Sequence, residues 1–210
     1  MIKNLFLIRH GEAEHLLGER LTGGWTDSSL TEKGRHQAHN TGKRILDLVR
    51  EFEVALYCSD LFRAKESAEI IGSYLNKKPM PFQELREQNN GQAANLSTEE
   101  ARRIALPRSE PIMDWIHYPG AESWRSFNKR VFEFMDVLEN KSPENVVVVS
   151  HRRTILAIIH WWLELSEDYI KRISFDIEPC SITYLRANKW GEKTISKLND
   201  DFHIILNGQS

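Results

Sequence analysis

The sequence predicts an α/β fold in which a mostly parallel central sheet is flanked by helices. Three observations carry that prediction. Short apolar runs at residues 5–8, 54–58 and 146–149 read as buried strands. Segments with helical spacing alternate with them, the order that produces parallel strands. The run Val146-Val147-Val148-Val149 is wholly β-branched, as in a strand covered on both faces.

The opening strand runs without a spacer into Arg9-His10-Gly11-Glu12. In open parallel sheets ligands bind at the C-terminal strand edge, so this strand delivers a guanidinium and an imidazole to that edge. A glycine-rich loop over residues 18–29 follows and contains Thr22-Gly23-Gly24-Trp25-Thr26-Asp27. Leu30-Thr31-Glu32-Lys33-Gly34 leads into a helix whose apolar stripe is Ala38, Gly42, Ile45, Leu46 and Val49, with Thr31 or Ser29 as its cap. The second strand ends in Ser59-Asp60, both cap-forming residues, and Leu61, Ala64, Ala68, Ile71 and Leu75 set the next helix against the sheet. Pro79 and Pro81 end that unit.

Residues 82–119 show no strand pattern. Gln88-Asn89-Asn90-Gly91 marks a loop, residues 97–104 suit one short helix, and Pro107, Pro111 and Pro119 interrupt the rest. No second core pattern occurs there. The segment therefore reads as an irregular insertion folded over the active-site edge, within a single domain spanning residues 1–210. Trp124, Phe127, Val131, Phe134, Met135 and Leu138 mark a long amphipathic helix. The valine strand ends in Ser150-His151, and residues 154–165 are apolar on nearly every side, as in a buried helix. Residues 181–185 and 194–198 are the last strands, joined by a hairpin turn at Asn188-Lys189-Trp190-Gly191.

Composition sets the outer bounds. A chain of 210 residues with 40% apolar and 28% charged residues suits a soluble globular domain with a real core. A net charge of -2 supplies no overall attraction for nucleic acid or an anionic membrane, so any affinity for an anion is local. No run reaches membrane-spanning length, and the apolar run at the start is too short for a secretion signal. Cys58 and Cys180 lie in apolar, strand-like surroundings and read as buried thiols rather than a disulfide, which places the chain in the cytoplasm.

If the strands are parallel neighbours, their polar ends meet. The first supplies Arg9 and His10, the second leads to Arg63 in the first turn of its helix, and the valine strand supplies His151. Taken singly, His151 would be a packing or capping residue and Arg63 a solvated helix residue. Together, two guanidiniums and two imidazoles suit a compact dianion such as inorganic phosphate or sulfate. No Gly-x-x-x-x-Gly-Lys loop is present, which disfavours a nucleoside triphosphate fold of that type.

Six stretches in register resemble the histidine phosphatase superfamily, which includes the cofactor-dependent phosphoglycerate mutases. They are Leu7-Ile8-Arg9-His10-Gly11-Glu12, the run from Gly24 to Gly34 with Gln37-Ala38, and Ser59-Asp60-Leu61-Phe62-Arg63-Ala64 with Ser67-Ala68. Then come Leu85-Arg86-Glu87 with Gly91, Pro119-Gly120-Ala121-Glu122-Ser123, and Val149-Ser150-His151. The resemblance implies a three-layer sandwich acting on a small phosphorylated substrate with neither metal nor cofactor. It implies that His10 is the nucleophile and becomes phosphohistidine. Arg9, Arg63 and His151 would hold the phosphoryl oxygens, Glu87 would be the general acid, and Thr22 and Gly23 would touch substrate. Glu84 competes with Glu87 for the acid role, and the spacing to Gly91 favours Glu87. A zinc site from His10, His151 and Glu87 is disfavoured by the two adjacent arginines. His15, His36, His39, His117, His160 and His203 match no motif and read as surface or packing residues.

The departures matter as well. The mutases carry a Trp-Asn pair where His15 and Leu16 stand here, and an Arg and a Tyr where Gln88-Asn89-Asn90 follow Glu87. Arg152-Arg153 follows His151, either as a solvated helix start or as cations that favour a second anionic group on the substrate. These differences shift the expectation from mutase to phosphatase. A non-catalytic module that docks a phosphorylated ligand is the third reading, and it gives Glu87 no purpose.

Overall fold

The computed structural model describes residues 1–17, 22–141 and 144–205, so the first four positions of the glycine-rich loop, 18–21, lie outside the described residues. Six strands form one sheet: β1 (Asn4–Arg9), β2 (Ala55–Ser59), β3 (Met80–Phe82), β4 (Asn145–Ser150), β5 (Ile182–Ala187) and β6 (Lys193–Asp200). The helices are α1 (Glu32–Leu48), α2 (Phe62–Leu75), α3 (Thr98–Arg103), α4 (Trp124–Lys141), α5 (Arg152–Trp162), α6 (Glu167–Ile170) and α7 (Phe202–Ile205). The strand order is β3-β2-β4-β1-β5-β6. The first four are parallel; β5 and β6 run antiparallel.

Strand alternation builds the two cores. Leu5, Leu7, Val146 and Val148 face Phe127, Val131 and Met135 of α4 and Ile155, Ile158 and Ile159 of α5. Phe6, Ile8, Val147 and Val149 face Ile45 of α1 and Ala68 and Ile71 of α2. All of these side chains are fully buried, and each large one contributes about 1.5–3 kcal/mol of transfer free energy. The result is the expected three-layer sandwich. After β1 the chain crosses to the α1 face, whereas after β4 it crosses to α5 on the opposite face. Because β1 and β4 are neighbours, their C-terminal ends diverge and open a crevice. The register levels those ends, pairing Arg9 with Ser150 and Cys58 with Val149.

Two local expectations are corrected. Pro81, read from sequence as a terminator, lies within β3 and pairs with Cys58. A proline is tolerated there because β3 is an edge strand with one side unpaired. Asp60 does not cap α2; it binds Arg86 through both oxygens at 2.7 Å. The first amide of α2, Phe62 N, instead donates to Asp27 Oδ1 of the glycine-rich loop at 2.9 Å, while Leu61 N donates to Ser59 Oγ at 3.3 Å. Elsewhere local signals hold. Thr31 Oγ1 accepts from Gly34 N at 2.9 Å and caps α1. Ser97 and Glu100 form a capping box on α3. The β5–β6 hairpin closes through Gly191 N to Asn188 O at 2.9 Å.

The segment between β3 and α4 crosses over itself at Gly91. There φ is +54°, and a Cβ would lie 2.2 Å from Pro119 O, so only glycine fits. Gln92 N to Pro119 O at 2.9 Å and Glu122 N to Asn89 O at 3.0 Å tie the crossing. Cys58 and Cys180 are free, buried thiols, each pushed up to about 12 by burial. Among the described residues no helix is long and apolar enough to cross a membrane.

Candidate active site

The site begins where two distant sequence motifs clasp each other. His10 N donates to Ser150 O at 2.9 Å, continuing the β1–β4 ladder by one residue. Gly11 then packs on the first turn of α1 so closely that a Cβ would sit 2.4 Å from Gly34 O. Thr31 N donates to Glu12 O at 3.0 Å, Thr31 Oγ1 to Glu12 Oε1 at 3.0 Å, and Lys33 Nζ reaches Glu12 Oε2 at 2.8 Å. Arg9-His10-Gly11-Glu12 and Thr31-Glu32-Lys33-Gly34 are the two halves of one contact.

His10 Nδ1 lies 2.7 Å from Gly11 O. A carbonyl only accepts, so Nδ1 carries the proton and Nε2 keeps its lone pair. Arg63 Nε donates to that Nε2 at 3.2 Å. Arg63 is 1% exposed, and its other nitrogens donate to Thr26 O at 2.6 Å and Gly24 O at 2.8 Å. Ser67 Oγ links both residues, donating to Arg63 O at 2.8 Å and accepting from Gly11 N at 3.1 Å. Arg9 Nη1 donates to Ile177 O at 2.7 Å, and its buried Nε has no partner among the described residues. The His151 ring centroid lies 5.0 Å from that of His10 at 63°. Its Nε2 sits 2.8 Å from Ser59 Oγ, and its buried Nδ1 is unpartnered among the described residues. The structure thus brings Arg9, His10, Arg63 and His151 together. It adds Ser59, which sequence suggests only as a helix cap.

Charge at this point is one-sided. Among the described residues neither Arg9 nor Arg63 makes an ion pair; their partners are carbonyls and an imidazole. Burial pulls Arg63 down to about 10 and lowers Arg9, with Glu87 the largest opposing influence on each. Desolvation first, then Arg63, holds both His10 and His151 well below the ordinary imidazole range, so both are neutral at pH 7. A largely buried pocket whose guanidiniums make no ion pair among the described residues suits an anion.

His15, assigned from sequence to surface or packing, is a third imidazole of this pocket. It is 6% exposed, its ring centroid lies 6.5 Å from that of His10, and burial followed by Arg63 pushes it down to about 4. Its Nδ1 bonds Ser28 Oγ at 2.7 Å. The only sequence signal for it was its place at the mutases' Trp-Asn pair.

Beside this pocket lies a cavity of about 320 Å³ whose lining includes Thr22, Gly23, Glu87, Gln88, His117 and Arg153. Glu87 is anchored through both oxygens, accepting from Gln88 N at 2.9 Å and Arg153 N at 3.2 Å. Trp25 Nε1 holds the Glu87 carbonyl at 2.7 Å. Glu84 is exposed and borders a different surface hollow with Phe82 and Arg130, away from the Glu87 cavity. Thr22 lines the cavity, but its hydroxyl donates to Ala93 O and accepts from Asn90 Nδ2 at 3.1 Å, so it fastens the loop. A Cβ at Gly23 would meet nothing within 4 Å, so that wall is open. His117, also unassigned from sequence, lies flat on Tyr118 at 4.2 Å and 7° along the cavity.

A mostly parallel sandwich here opens a crevice that holds a lone-pair imidazole beside guanidiniums that make no ion pair among the described residues. The chain belongs to the histidine phosphatase superfamily (branch 1), whose profile matches residues 5–201. It is 32% identical over 187 residues to 2,3-bisphosphoglycerate-dependent phosphoglycerate mutase 2 of Gloeobacter violaceus, covering 84% of this chain and 82% of that one. The 2,3-bisphosphoglycerate-dependent phosphoglycerate mutase of Bartonella henselae is 30% identical over 172 residues, covering 76% and 81%. Among solved structures, mycobacterial glucosyl-3-phosphoglycerate phosphatase shares the fold with a TM-score of 0.75 at 22% identity, over 94% of this chain and 99% of that one. That phosphatase has also been solved with inorganic phosphate and with VO3.

Proposed function

We propose that this protein is a metal-independent phosphatase that hydrolyses small phosphomonoesters through a phosphohistidine intermediate on His10. The observation that carries the reading is the His10 Nδ1–Gly11 O bond of 2.7 Å, which leaves Nε2 unprotonated beside two unpaired guanidiniums. In the first step Nε2 attacks phosphorus while the P–O bond to the leaving group breaks. Glu87 supplies the proton to the departing oxygen, typically worth ~10²–10⁴-fold. Arg9, Arg63 and His151 hold the non-bridging oxygens, with ~3–4 kcal/mol for one well-placed donor. The Gly11 carbonyl steadies the positive imidazole that results. In the second step Glu87 takes a proton from water, which attacks phosphorus, breaks the P–N bond and releases inorganic phosphate. Phosphate and sulfate are then expected to compete with substrate. The free thiols at Cys58 and Cys180 fit the reducing cytoplasm.

The second reading is mutase transfer, favoured by the names of the two relatives at 30% and 32% identity. Against it, Gln88, Asn89 and Asn90 stand where the mutases carry their Arg and Tyr. Incubation with 3-phosphoglycerate and its bisphosphate primer separates the two. Steady phosphate release with little isomerisation supports the phosphatase; rapid isomerisation with little release establishes the mutase.

A further inference from the structure

The cavity beyond Glu87, lined also by Glu122, holds a cation, Arg153, that makes no ion pair among the described residues. Arg153 lies in the first turn of α5, with its guanidinium 5.2 Å over the Trp124 ring and Nη1 donating to the Gln88 side-chain oxygen. Gln88 is 8% exposed and is itself fixed by Nε2 to Glu122 O at 2.9 Å. Among the described residues Arg153 makes no ion pair. Its neighbours differ: Arg130 binds both oxygens of Glu122 at 2.8 Å, and Arg86 binds both of Asp60. Arg152, one residue earlier, points to Asp176 at 3.5 Å and does not line the cavity. Both arginines are exposed, but they differ in partners: Arg152 pairs with Asp176, whereas Arg153 lines the cavity and makes no ion pair among the described residues.

The position of the acid says what occupies the cavity. A proton goes from Glu87 to the departing oxygen, so the alcohol half of the substrate lies along the wall that Glu87 shares with Arg153 and His117. About 320 Å³ is near the small end of ligand pockets, which suits a compact leaving group. His117, whose pKa is lowered by partial burial and then by Arg153, lines the same wall.

We propose that this cavity is a second-anion subsite, in which Arg153 takes a carboxylate or second phosphate carried by the leaving group. The preferred substrates are then small phosphomonoesters that are anionic at both ends. This inference rests on the phosphatase reading and names its substrate class.

The test is kcat/KM for p-nitrophenyl phosphate, glycerol 3-phosphate, 3-phosphoglycerate and glycerol 1,3-bisphosphate. Wild type should favour at least one of the last two over glycerol 3-phosphate by about tenfold or more, as expected of a charge-assisted bidentate contact, and the better of them identifies the anion. Arg153→Gln should bring that ratio to about twofold or less, chiefly through KM. Arg153→Lys should keep part of it, because the charge remains without the fork. Arg152→Gln should leave the ratio where it was. Hydrolysis of p-nitrophenyl phosphate with a wild-type ratio near one, or a ratio that survives in Arg153→Gln, overturns the subsite alone. No hydrolysis of any of the four overturns the phosphatase reading and the subsite with it.

Discussion

The floor of the site is made of parallel strand ends, whereas the roof over it is made of loops that hold one another. On the floor, Arg9, His10, Ser59 and His151 follow directly from β1, β2 and β4, and backbone ladders set their positions. In the roof, Asn90 Oδ1 accepts from Trp25 N at 3.0 Å and Asn95 N donates to Thr26 Oγ1 at 2.9 Å, so residues 22–26 and 87–95 fix each other by side-chain bonds. In the proposed reaction the floor meets the part common to all phosphomonoesters, the PO3 group, and the roof meets the part that differs, the leaving group. Rigid elements suit invariant chemistry, and loops suit a specificity that changes.

The sharpest way to break this division is on the floor. His10→Asn should lower phosphate release by about 10³-fold or more with aryl and alkyl phosphates alike, since no other group replaces the nucleophile. A variant that loses activity with only one class would place the nucleophile elsewhere. The next largest effect belongs to Glu87, where roof and floor meet. Glu87→Gln should lower kcat/KM for alkyl phosphates by about 10²–10⁴-fold and much less for p-nitrophenyl phosphate, whose phenolate leaves without a proton. Equal losses with both would remove Glu87 from the acid role.

Smaller effects test how the floor is braced. Ser59→Ala leaves His151 Nε2 without its partner, at a cost of about 1–3 kcal/mol, so kcat should fall about tenfold and Tm should drop. An unchanged kcat would show that Ser59 serves only the turn into α2, through Leu61 N. The smallest effect is on stability. His10, His15 and His151 have folded pKa values held below an unfolded value of about 6.5, so below that pH the unfolded chain binds more protons. Stability should be level above about pH 6.5 and fall on acidification, by up to about 1.4 kcal/mol per pH unit for each histidine. For His15 this window closes near its folded value of about 4. Urea unfolding at pH 7.5, 6.5 and 5.5 reads this slope, and His10→Asn should reduce it by one proton's worth. Stability that rises on acidification, or stays level from pH 7.5 to 5.5, would contradict neutral burial of these rings.

What was legible in the sequence follows the same division. Residues 5–8 and 146–149 show their burial in composition, and Arg9, His10 and His151 are adjacent to them, so those floor residues could be placed from the chain alone. Thr31 was legible because a cap and its helix are local. The roof was less so. The spacing to Gly91 favoured Glu87 over Glu84, but only the single turn Gln83–Leu85 shows Glu84 exposed and turned to another hollow. β3 was hidden by Pro81, whose tolerance depends on its being at the sheet edge. Asp60 looked like a cap, and only the fold brings Arg86 to it and Asp27 to the helix start. His15 lies in the single turn Glu14–Leu16, too short for periodicity, and its partner Ser28 comes from the far side of the loop.

The phosphorylated enzyme itself gives the most direct reading. Wild-type protein quenched during turnover of a 32P-labelled phosphomonoester should carry label that is stable in alkali, labile in acid and mapped to the peptide containing His10. The label should chase into inorganic phosphate and be absent from His10→Asn. Turnover at full rate with no label at His10, or with alkali-labile label on another residue, would contradict the mechanism.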